Sequence, residues 1–202
     1  MERLLIAAMD VIEAKGLAGV TIPEVAAAAN VATGSIYRRF TDKDALLRTV
    51  FLGLLEAWQE GNRASLPADR FEGRSLEQAL DALARALVTQ YRGRTGLLKA
   101  LDQFLESQAD AAFRERATGL MEANFQRVVA ALLPFRDRIA AADPERAIRF
   151  ALLSAMTVIE VHKLHDALLW NRLLPLDDEA LAAETARAMA AYLTAPVARD
   201  PN

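Results

Sequence analysis

The chain has 202 residues, of which 53% are hydrophobic and 25% are charged, and this composition excludes a protein that is disordered throughout. Because cysteine is absent, the sequence also excludes a disulfide framework, thiolate metal sites and cysteine nucleophiles. The formal net charge of −3 at pH 7 excludes a nucleic-acid-binding protein that is basic over its whole surface, so any nucleic-acid contact must be confined to one region.

The N-terminus and the apolar segments predict a soluble, cytoplasmic protein. The first twelve residues carry Glu2, Arg3 and Asp10 within a helical repeat, unlike the uninterrupted apolar core of a signal peptide. The longest strongly apolar run, residues 151–159, is far shorter than the ~20 residues that a membrane-spanning helix needs. Neither a targeting segment nor a membrane span is therefore expected.

The N-terminal residues predict helices with recognisable caps. Apolar residues at i, i+3, i+4 and i+7 indicate an amphipathic helix over residues 2–15, and Gly16 follows it as a left-handed C-terminal cap. A second helix is predicted to begin at Thr21, which has the T-x-x-E capping-box spacing to Glu24. Asn30 comes only a few residues later and accepts a left-handed backbone, so it is predicted to form the turn to the next helix.

Two further helices are predicted after this turn. The third is short and covers residues 33–40, with Ile36 and Phe40 facing inward. The fourth is predicted to begin at Thr41 and to extend over residues 41–62.

The rest of the chain also has helical periodicity, interrupted by glycine and proline. Gly61, Pro67 and Gly73 predict a loop after the fourth helix. Capping residues divide the remainder into five helices, among them the S-x-x-Q capping box from Ser75 to Gln78 and the D-P-E run that begins at Asp143. These are predicted over residues 75–91, 97–108, 110–133, 143–172 and 177–193. Since no strand candidate is longer than a few residues, the sequence predicts an all-α fold of about nine helices.

Two short helices joined by a tight turn and braced by a preceding amphipathic helix are typical of a helix-turn-helix. In that geometry the second short helix enters the major groove of DNA, where hydroxyls, a phenol and guanidinium groups contact bases or phosphates and a glycine allows close approach. The residues predicted to face DNA are Thr33, Gly34, Ser35, Tyr37, Arg38 and Arg39. Lys43, at the start of the next helix, is predicted to reach a phosphate.

The charge distribution agrees with a local DNA contact. Residues 1–48 contain six basic and six acidic side chains, so the remainder of the chain carries the whole net charge of −3. Four of the six basic residues fall within residues 38–48, which focuses the positive field on one corner of the domain. The alternative is that Arg38, Arg39 and Lys43 form an ordinary solvated face.

The segment over residues 20–47 resembles the signature of the tetracycline-repressor (TetR) family of bacterial transcriptional regulators. The resemblance is carried above all by the run G-S-I-Y-x-x-F-x-x-K-x-x-L-L, which extends from Gly34 to Leu47 and joins a recognition helix to the next helix at fixed spacing. Two positions depart from the family pattern. The family usually has serine where this chain has Ala32, so the recognition helix loses its usual cap unless Thr33 serves, and the common glycine of the turn is Asn30.

The resemblance also implies roles for individual residues. Thr33, Gly34, Ser35, Tyr37 and Arg38 would face DNA. Thr21, Tyr37 and Lys43 would hold phosphates, while Ile36, Phe40 and Leu46 would pack the small domain. It further implies a three-helix helix-turn-helix DNA-binding domain over residues 1–47, followed by a helical-bundle domain over residues 48–202 for effector binding and dimerisation.

The long helix predicted after Pro144 carries evidence for a homodimer, because it has two apolar stripes roughly 100° apart where a single core needs one. The first stripe is Ile148, Leu152, Ala155 and Ile159, and the second is Ala151, Ser154, Val158, Val161 and Leu168. On the last helix, Ala182, Ala186 and Ala190 form a small-residue strip suited to close approach. Two such helices from each subunit predict a four-helix interface, the alternative being a helix buried inside a monomer.

Large or polar side chains on the C-terminal helices are candidates for an effector pocket. They are Phe104, Met121, Phe125, Met156, Glu160, His162 and Trp170. Aromatic and methionine residues at helical spacing also occur in plain cores, and that alternative stays open. His162 and His165 have a spacing that can bind metal, but the chain has no other histidine, so we expect neither a metal site nor a cofactor. Whether these two residues line the pocket or the dimer interface stays open.

The sequence does not predict an enzyme, because it has no glycine-rich phosphate loop, no paired E-x-x-H motifs and no Ser-His-Asp set in a strand-turn-helix context. We expect a ligand-responsive regulator, a repressor that a small hydrophobic effector releases from an inverted-repeat operator in double-stranded DNA. One alternative is a helical metal- or small-molecule-binding protein without DNA function. Another is a purely structural helical adaptor.

Overall fold

The computed structural model describes residues 2–67, 69–164 and 169–196. Over these residues it contains ten α-helices, one 3-10 helix (Leu133–Arg138) and no strand, which confirms the predicted all-α class. The α-helices are α1 (Glu2–Gly19), α2 (Ile22–Ala29), α3 (Thr33–Tyr37), α4 (Lys43–Ser65), α5 (Leu76–Tyr91), α6 (Thr95–Ser107), α7 (Ala111–Leu132), α8 (Pro144–Leu164), α9 (Trp170–Leu173) and α10 (Asp178–Thr194). None of the described helices combines the length and the apolar character that a membrane span requires.

The chain divides into two compact units, each with its own buried apolar cluster. The first unit comprises Met1–Asn62 and Gly93–Asn124, and therefore includes α1 to α3, most of α4, α6 and the first half of α7. The second comprises Arg63–Arg92 and Phe125–Asn202, in which α5, α8 and α10 pack together. The predicted division into a DNA-binding domain (residues 1–47) and an effector-binding and dimerisation domain (residues 48–202) concerns function, whereas these two units are defined by packing. The predicted division therefore stays a prediction.

The predicted capping residues of α2 and α5 are confirmed. The capping box of α2 forms, because Thr21 and Glu24 exchange side-chain-to-backbone hydrogen bonds, and Ser75 and Gln78 do the same at α5. Asn30 has φ 54° and ψ 50°, the left-handed conformation predicted for the turn after α2. Gly16 has φ 68° and ψ 176°, so the break lies at the predicted residue, but the backbone there is not the predicted left-handed cap and α1 continues to Gly19.

The predicted end of the third helix and the predicted start of the fourth are wrong. The fourth helix begins at Lys43 rather than Thr41, because the carboxylate of Asp42 accepts a hydrogen bond from the backbone nitrogen of Ala45 at 2.7 Å and acts as the cap. The third helix ends at Tyr37 rather than at residue 40, because the backbone forms a tight turn after it. In this turn the carbonyl of Ile36 accepts hydrogen bonds from the backbone nitrogens of both Arg39 and Phe40, each at 2.9 Å.

The long helix predicted over residues 143–172 is also wrong, since α8 ends at Leu164 and a separate helix, α9, follows at Trp170–Leu173. The side chains of His162 and Asn171 meet, with Nδ1 of the first 3.0 Å from Oδ1 of the second. Nine residues of continuous helix would advance about 13.5 Å along the axis, so this contact is incompatible with one straight helix. The described part of the chain therefore has ten α-helices rather than nine.

Candidate nucleic-acid interface

The orientation of α3 is fixed by its apolar residue on one side. Ile36 is 1% exposed and belongs to the same buried cluster as Val25 of α2 and Ile12 of α1, and Phe40 packs into this cluster from just beyond the helix. Because α3 has only five residues, this single buried contact determines which side faces outward. The side chains flanking Ile36 are therefore presented to solvent.

The turn between α2 and α3 is held by the backbone. The nitrogen of Asn30 donates to the carbonyls at the end of α2, and the nitrogen of Val31 donates to the carbonyl of Ala26 at 3.0 Å. A left-handed residue at the end of the helix satisfies carbonyl groups that would otherwise lack partners. The two short helices are thus joined in a defined helix-turn-helix.

The outward side of α3 exposes the residues predicted to face DNA. Tyr37 is 55% exposed, Arg38 and Arg39 are exposed, and Thr33 and Ser35 are partly exposed. Gly34 is exposed, and a Cβ atom added there would meet nothing within 4 Å. The backbone of α3 is therefore open to a second molecule at this residue.

One contact on this surface orients a cation. Nη2 of Arg38 donates to the hydroxyl of Ser35 at 3.0 Å, across three residues. The bond uses one of the five guanidinium donors and leaves the others for a base edge or a phosphate. Ser35 and Arg38 thus act as a pair.

Two residues predicted to hold phosphates also have structural roles. The hydroxyl of Thr21 donates to Glu24 Oε2 at 2.9 Å as part of the α2 cap. Nζ of Lys43 donates to the carbonyl of Leu17 at 2.9 Å and so links the start of α4 to the end of α1. An ammonium group has three donors, so Lys43 keeps two that this bond does not use.

The start of α3 lacks a side-chain cap. Ala32 occupies the N-cap position without a side-chain hydrogen bond, and Thr33 lies inside the helix. The loss of the usual cap, which the sequence predicts at Ala32, is confirmed, and Thr33 does not replace it. The carbonyl of Ala32 still accepts the first helical bond, from the nitrogen of Ser35 at 2.8 Å.

An open cleft of about 610 Å³ lies beside α3 and contains a residue that the sequence did not single out. Arg3 of α1 lines it together with Ser35, Arg38 and Arg39. The only sequence signal for Arg3 is a basic residue next to the apolar stripe of the first helix, 35 positions before Arg38. Packing of α1 against the helix-turn-helix brings these arginines to one place.

Three charged side chains near the helix-turn-helix, Lys15, Glu24 and Arg48, form ion pairs within the first unit. Lys15 forms an ion pair with Glu24, and Nε of Arg48 lies 3.5 Å from Oδ2 of Asp110. Hydrogen bonds from Lys15 and then from Thr21 lower the pKa of Glu24, and the backbone nitrogen of Ala45 lowers the pKa of the capping residue Asp42. Arg48, which the sequence grouped with the positive corner, therefore contacts the start of α7.

Two predicted pocket residues lie in the first unit. The ring of Phe104 is 3% exposed, and its centroid lies 5.1 Å from that of Phe51 and 5.4 Å from that of Phe113. This packing is that of a core residue, the alternative that the sequence left open. Met121 on α7 is exposed.

The remaining predicted pocket residues belong to the second unit. Phe125, Met156, Glu160 and His162 are partly buried there. Trp170 begins α9, but its side chain, like His165 and Leu168, lies outside the described residues. No group of three or more potential metal ligands occurs among residues 2–67, 69–164 and 169–196. The assignment of an effector pocket to these side chains stays a prediction.

The second unit also has an exposed apolar surface on α8. The first predicted stripe, including Ile148 and Ile159, is buried, whereas Phe150 and Leu153 are 55% and 58% exposed. The ring of Phe150 lies 5.1 Å from that of Tyr192, which α10 exposes beside it. We call this surface, formed by Phe150, Leu153, Val158 and Tyr192, the α8–α10 face.

The alanine strip of the last helix does not belong to that face. Ala182 and Ala186 are buried within the second unit, and Ala190 is partly buried. Small residues allow close approach, and here they serve the packing of α10 against α5 and α8. The prediction that this strip is available to a partner is therefore wrong.

Comparison with known proteins shows what the helix-turn-helix is similar to. Residues 4–50 match the family model described as bacterial regulatory proteins, tetR family. This part of the chain is similar to the DNA-binding segment of the TetR family. The predicted resemblance is thereby confirmed over α1 to α3 and the start of α4. No curated protein matches the chain in sequence.

Solved structures extend the TetR-family likeness to the whole fold. The regulator FadR from Bacillus subtilis, in complex with stearoyl-CoA, is 16% identical, with 96% of this chain and 97% of that chain covered and a TM-score of 0.68. A TetR transcription regulator from Haloarcula marismortui is 22% identical, with 95% and 96% covered and a TM-score of 0.68. PfmR from Thermus thermophilus is 17% identical, with 98% and 100% covered and a TM-score of 0.65. The chain has the fold of TetR-family regulators.

Proposed function

We propose that this protein is a homodimeric, ligand-responsive DNA-binding regulator that represses transcription until a small hydrophobic effector releases it from a palindromic operator. The observation that carries the proposal is the outward side of α3, where Gly34, Tyr37 and the Ser35–Arg38 pair are exposed around a single buried residue, Ile36. The proposed regulator acts by binding alone and needs neither a cofactor nor catalysis.

The chemistry of this surface suits the major groove. The open backbone at Gly34 permits close approach, and the guanidinium of Arg38 can donate two parallel hydrogen bonds to a guanine edge. Tyr37 offers a rigid ring and a phenol donor for a phosphate oxygen. We propose that Thr21, Thr33, Arg39 and Lys43 add contacts at the edges of the same surface.

The α8–α10 face supports the homodimer. Phe150, Leu153, Val158 and Tyr192 expose apolar side chains on α8 and α10, and such exposed apolar surfaces mark interaction sites that can pair with an identical surface across a two-fold axis. A five-residue recognition helix contacts few base pairs, so two copies are needed to specify a site. Related by a two-fold axis, they would read half-sites about one DNA turn, ~34 Å, apart.

The effector is proposed to act through α4. This helix runs without a break from Lys43, next to the helix-turn-helix, to Ser65, so a displacement of its far end would change the separation of the two recognition helices. The effector shifts this equilibrium only through its different affinities for the two arrangements. A coupling of ~1–3 kcal/mol would weaken operator binding about 5- to 150-fold.

Capture of genomic DNA fragments by the purified protein, followed by sequencing, tests the proposal. We expect enrichment of inverted repeats, and binding to a recovered repeat that weakens steeply as salt rises, since phosphate contacts release counterions. Stearoyl-CoA is the first effector probe, because FadR from Bacillus subtilis was solved in complex with it. Recovery of no inverted repeat, with and without acyl-CoA, would favour a helical small-molecule-binding protein without DNA function.

A further inference from the structure

The open cleft beside α3 combines positive charge from two parts of the chain. Arg3 comes from the first turn of α1, and Arg38 and Arg39 come from the segment after α3. Three of the described residues that line the cleft are arginines, and none of these described residues carries a carboxylate. Glu2 precedes Arg3 in the first turn of α1 and is the acidic residue of that turn.

The floor of the cleft strengthens the field of these cations. Leu4 and Ile36 line it and are buried, so part of the cleft wall beside the three exposed arginines is apolar. Charges of one sign in a cleft with low-dielectric walls focus the potential into the cleft. The N-terminal end of α1 adds the partial positive charge of a helix dipole at the same place.

The shape and position of the cleft suit a group on the flank of the DNA groove. It is open to solvent, and Ser35 and Arg38 belong both to its lining and to the outward side of α3. A molecule that touches the outward side of α3 would therefore extend over the cleft. In duplex DNA the anionic groups beside a contacted base edge are the backbone phosphates.

We infer that this cleft binds a backbone phosphate of duplex DNA and that Arg3 is its ligand from α1. The inference rests on the proposed DNA-binding function and adds a contact outside the helix-turn-helix itself. A phosphate held between α1 and the end of α3 fixes the angle at which α3 enters the groove. Such a contact adds affinity on every sequence alike, because phosphates carry no base information.

The salt dependence of DNA affinity tests the assignment on the full-length protein. The affinities of the wild type and of Arg3→Gln are measured by fluorescence anisotropy on a random-sequence duplex and on a captured inverted repeat, between about 50 and 200 mM salt. We expect the slope of log Kobs against log salt to shrink by about 0.9 for each protomer whose contact is lost, by equal amounts on both duplexes. Arg3→Lys retains the charge and is expected to retain most of the slope.

Arg114→Gln is the matched control, because it removes the same charge from an exposed arginine of α7 in the same unit. It is expected to leave the slope unchanged. If Arg3→Gln behaves like Arg114→Gln while the wild type binds with a steep slope, the inference fails and the proposed function stands. A change in sequence preference on Arg3→Gln overturns the phosphate assignment in favour of a base contact. Failure of the wild type to bind either duplex refutes the proposed function itself.

Discussion

At the scale of single residues, a substitution of Gly34 is expected to affect protein stability and DNA affinity in opposite directions. A methyl group at Gly34 would meet nothing within 4 Å in the protein, so Gly34→Ala is expected to raise stability by up to about 1 kcal/mol through better helix propensity. The same methyl group blocks close approach of the backbone to DNA, and we expect operator affinity to fall at least about tenfold, or ~1.4 kcal/mol. Thermal unfolding and fluorescence anisotropy measure the two effects. A variant with unchanged operator affinity would contradict the close approach.

Substitution of Ile36 is expected to lower the stability of the protein, whereas substitution of its neighbour Tyr37 is expected to lower operator binding. Ile36→Ala removes a side chain that is 1% exposed and is expected to destabilise the protein by about 2–5 kcal/mol. Tyr37→Ala removes a side chain that is 55% exposed, so the unfolding midpoint should change little while specific operator binding is lost. Denaturant unfolding of both variants measures the stability change, and DNA binding by the folded protein measures the loss of operator affinity. If Tyr37→Ala unfolds like Ile36→Ala, the tyrosine serves the core instead.

The lowered pKa of Glu24 predicts how the first unit responds to acid. Hydrogen bonds from Lys15 and Thr21 favour the carboxylate, so its pKa in the folded state lies below the usual 4.5. The stabilisation is fully present above that value and is lost as the pH falls through the lower pKa of the folded state. We expect Glu24→Gln to be less stable than the wild type at neutral pH, with a difference that vanishes in acid. Urea midpoints across the acid range measure it, and a difference that is constant with pH would contradict this origin.

At the scale of elements, α1 and α6 are joined through the start of α6. The carboxylate of Glu13 accepts hydrogen bonds from the backbone nitrogens of Leu97 at 2.7 Å and of Gly96 at 3.1 Å, so a side chain of α1 caps α6. A Cβ atom on Gly96 would lie 2.4 Å from the carbonyl oxygen of Glu13. Because that oxygen belongs to the backbone, the two helices could accommodate a methyl group only by moving apart.

Gly96→Ala is therefore expected to destabilise the protein by about 1–3 kcal/mol. Gly119→Ala is the matched control, since Gly119 lies in α7 of the same unit and a Cβ atom there meets nothing within 4 Å. That variant should be neutral or more stable by up to about 1 kcal/mol. Chemical denaturation of both proteins makes the comparison. Equal effects of the two substitutions would show that the close approach at Gly96 is relaxed in solution.

The elements also differ in how well the sequence predicted them. The start of α2 and the turn at Asn30 follow from hydrogen bonds between residues at most five positions apart, and both were predicted. The separation of α8 from α9 was not predicted, because the residues between them retain helical propensity and the contact between His162 and Asn171 forms only in the folded chain.

At the scale of the whole molecule, the α8–α10 face predicts the oligomeric state. Leu153→Glu places a charge on this exposed apolar surface, so we expect the purified protein to sediment as a folded monomer. Its affinity for an inverted repeat should fall with the loss of the dimer. Ile6→Glu, at an exposed apolar residue of the first unit, is the control and should leave the mass of the wild type unchanged. A wild type that sediments as a monomer at micromolar concentration would contradict the prediction.

The all-α class, the caps of α2 and α5 and the outward-facing residues around α3 could all be predicted from the sequence, because each depends on helical periodicity or on contacts within a few positions of the chain. Tertiary packing decided the rest. Because of this packing, Arg3 and Arg38 line the same cleft, and Lys43 donates a hydrogen bond to the carbonyl of Leu17. It also places Arg48 next to Asp110 and buries Ala182 and Ala186 within their own unit. These contacts join residues on separate elements, and their positions are set by how the helices pack, which no local pattern in the sequence encodes.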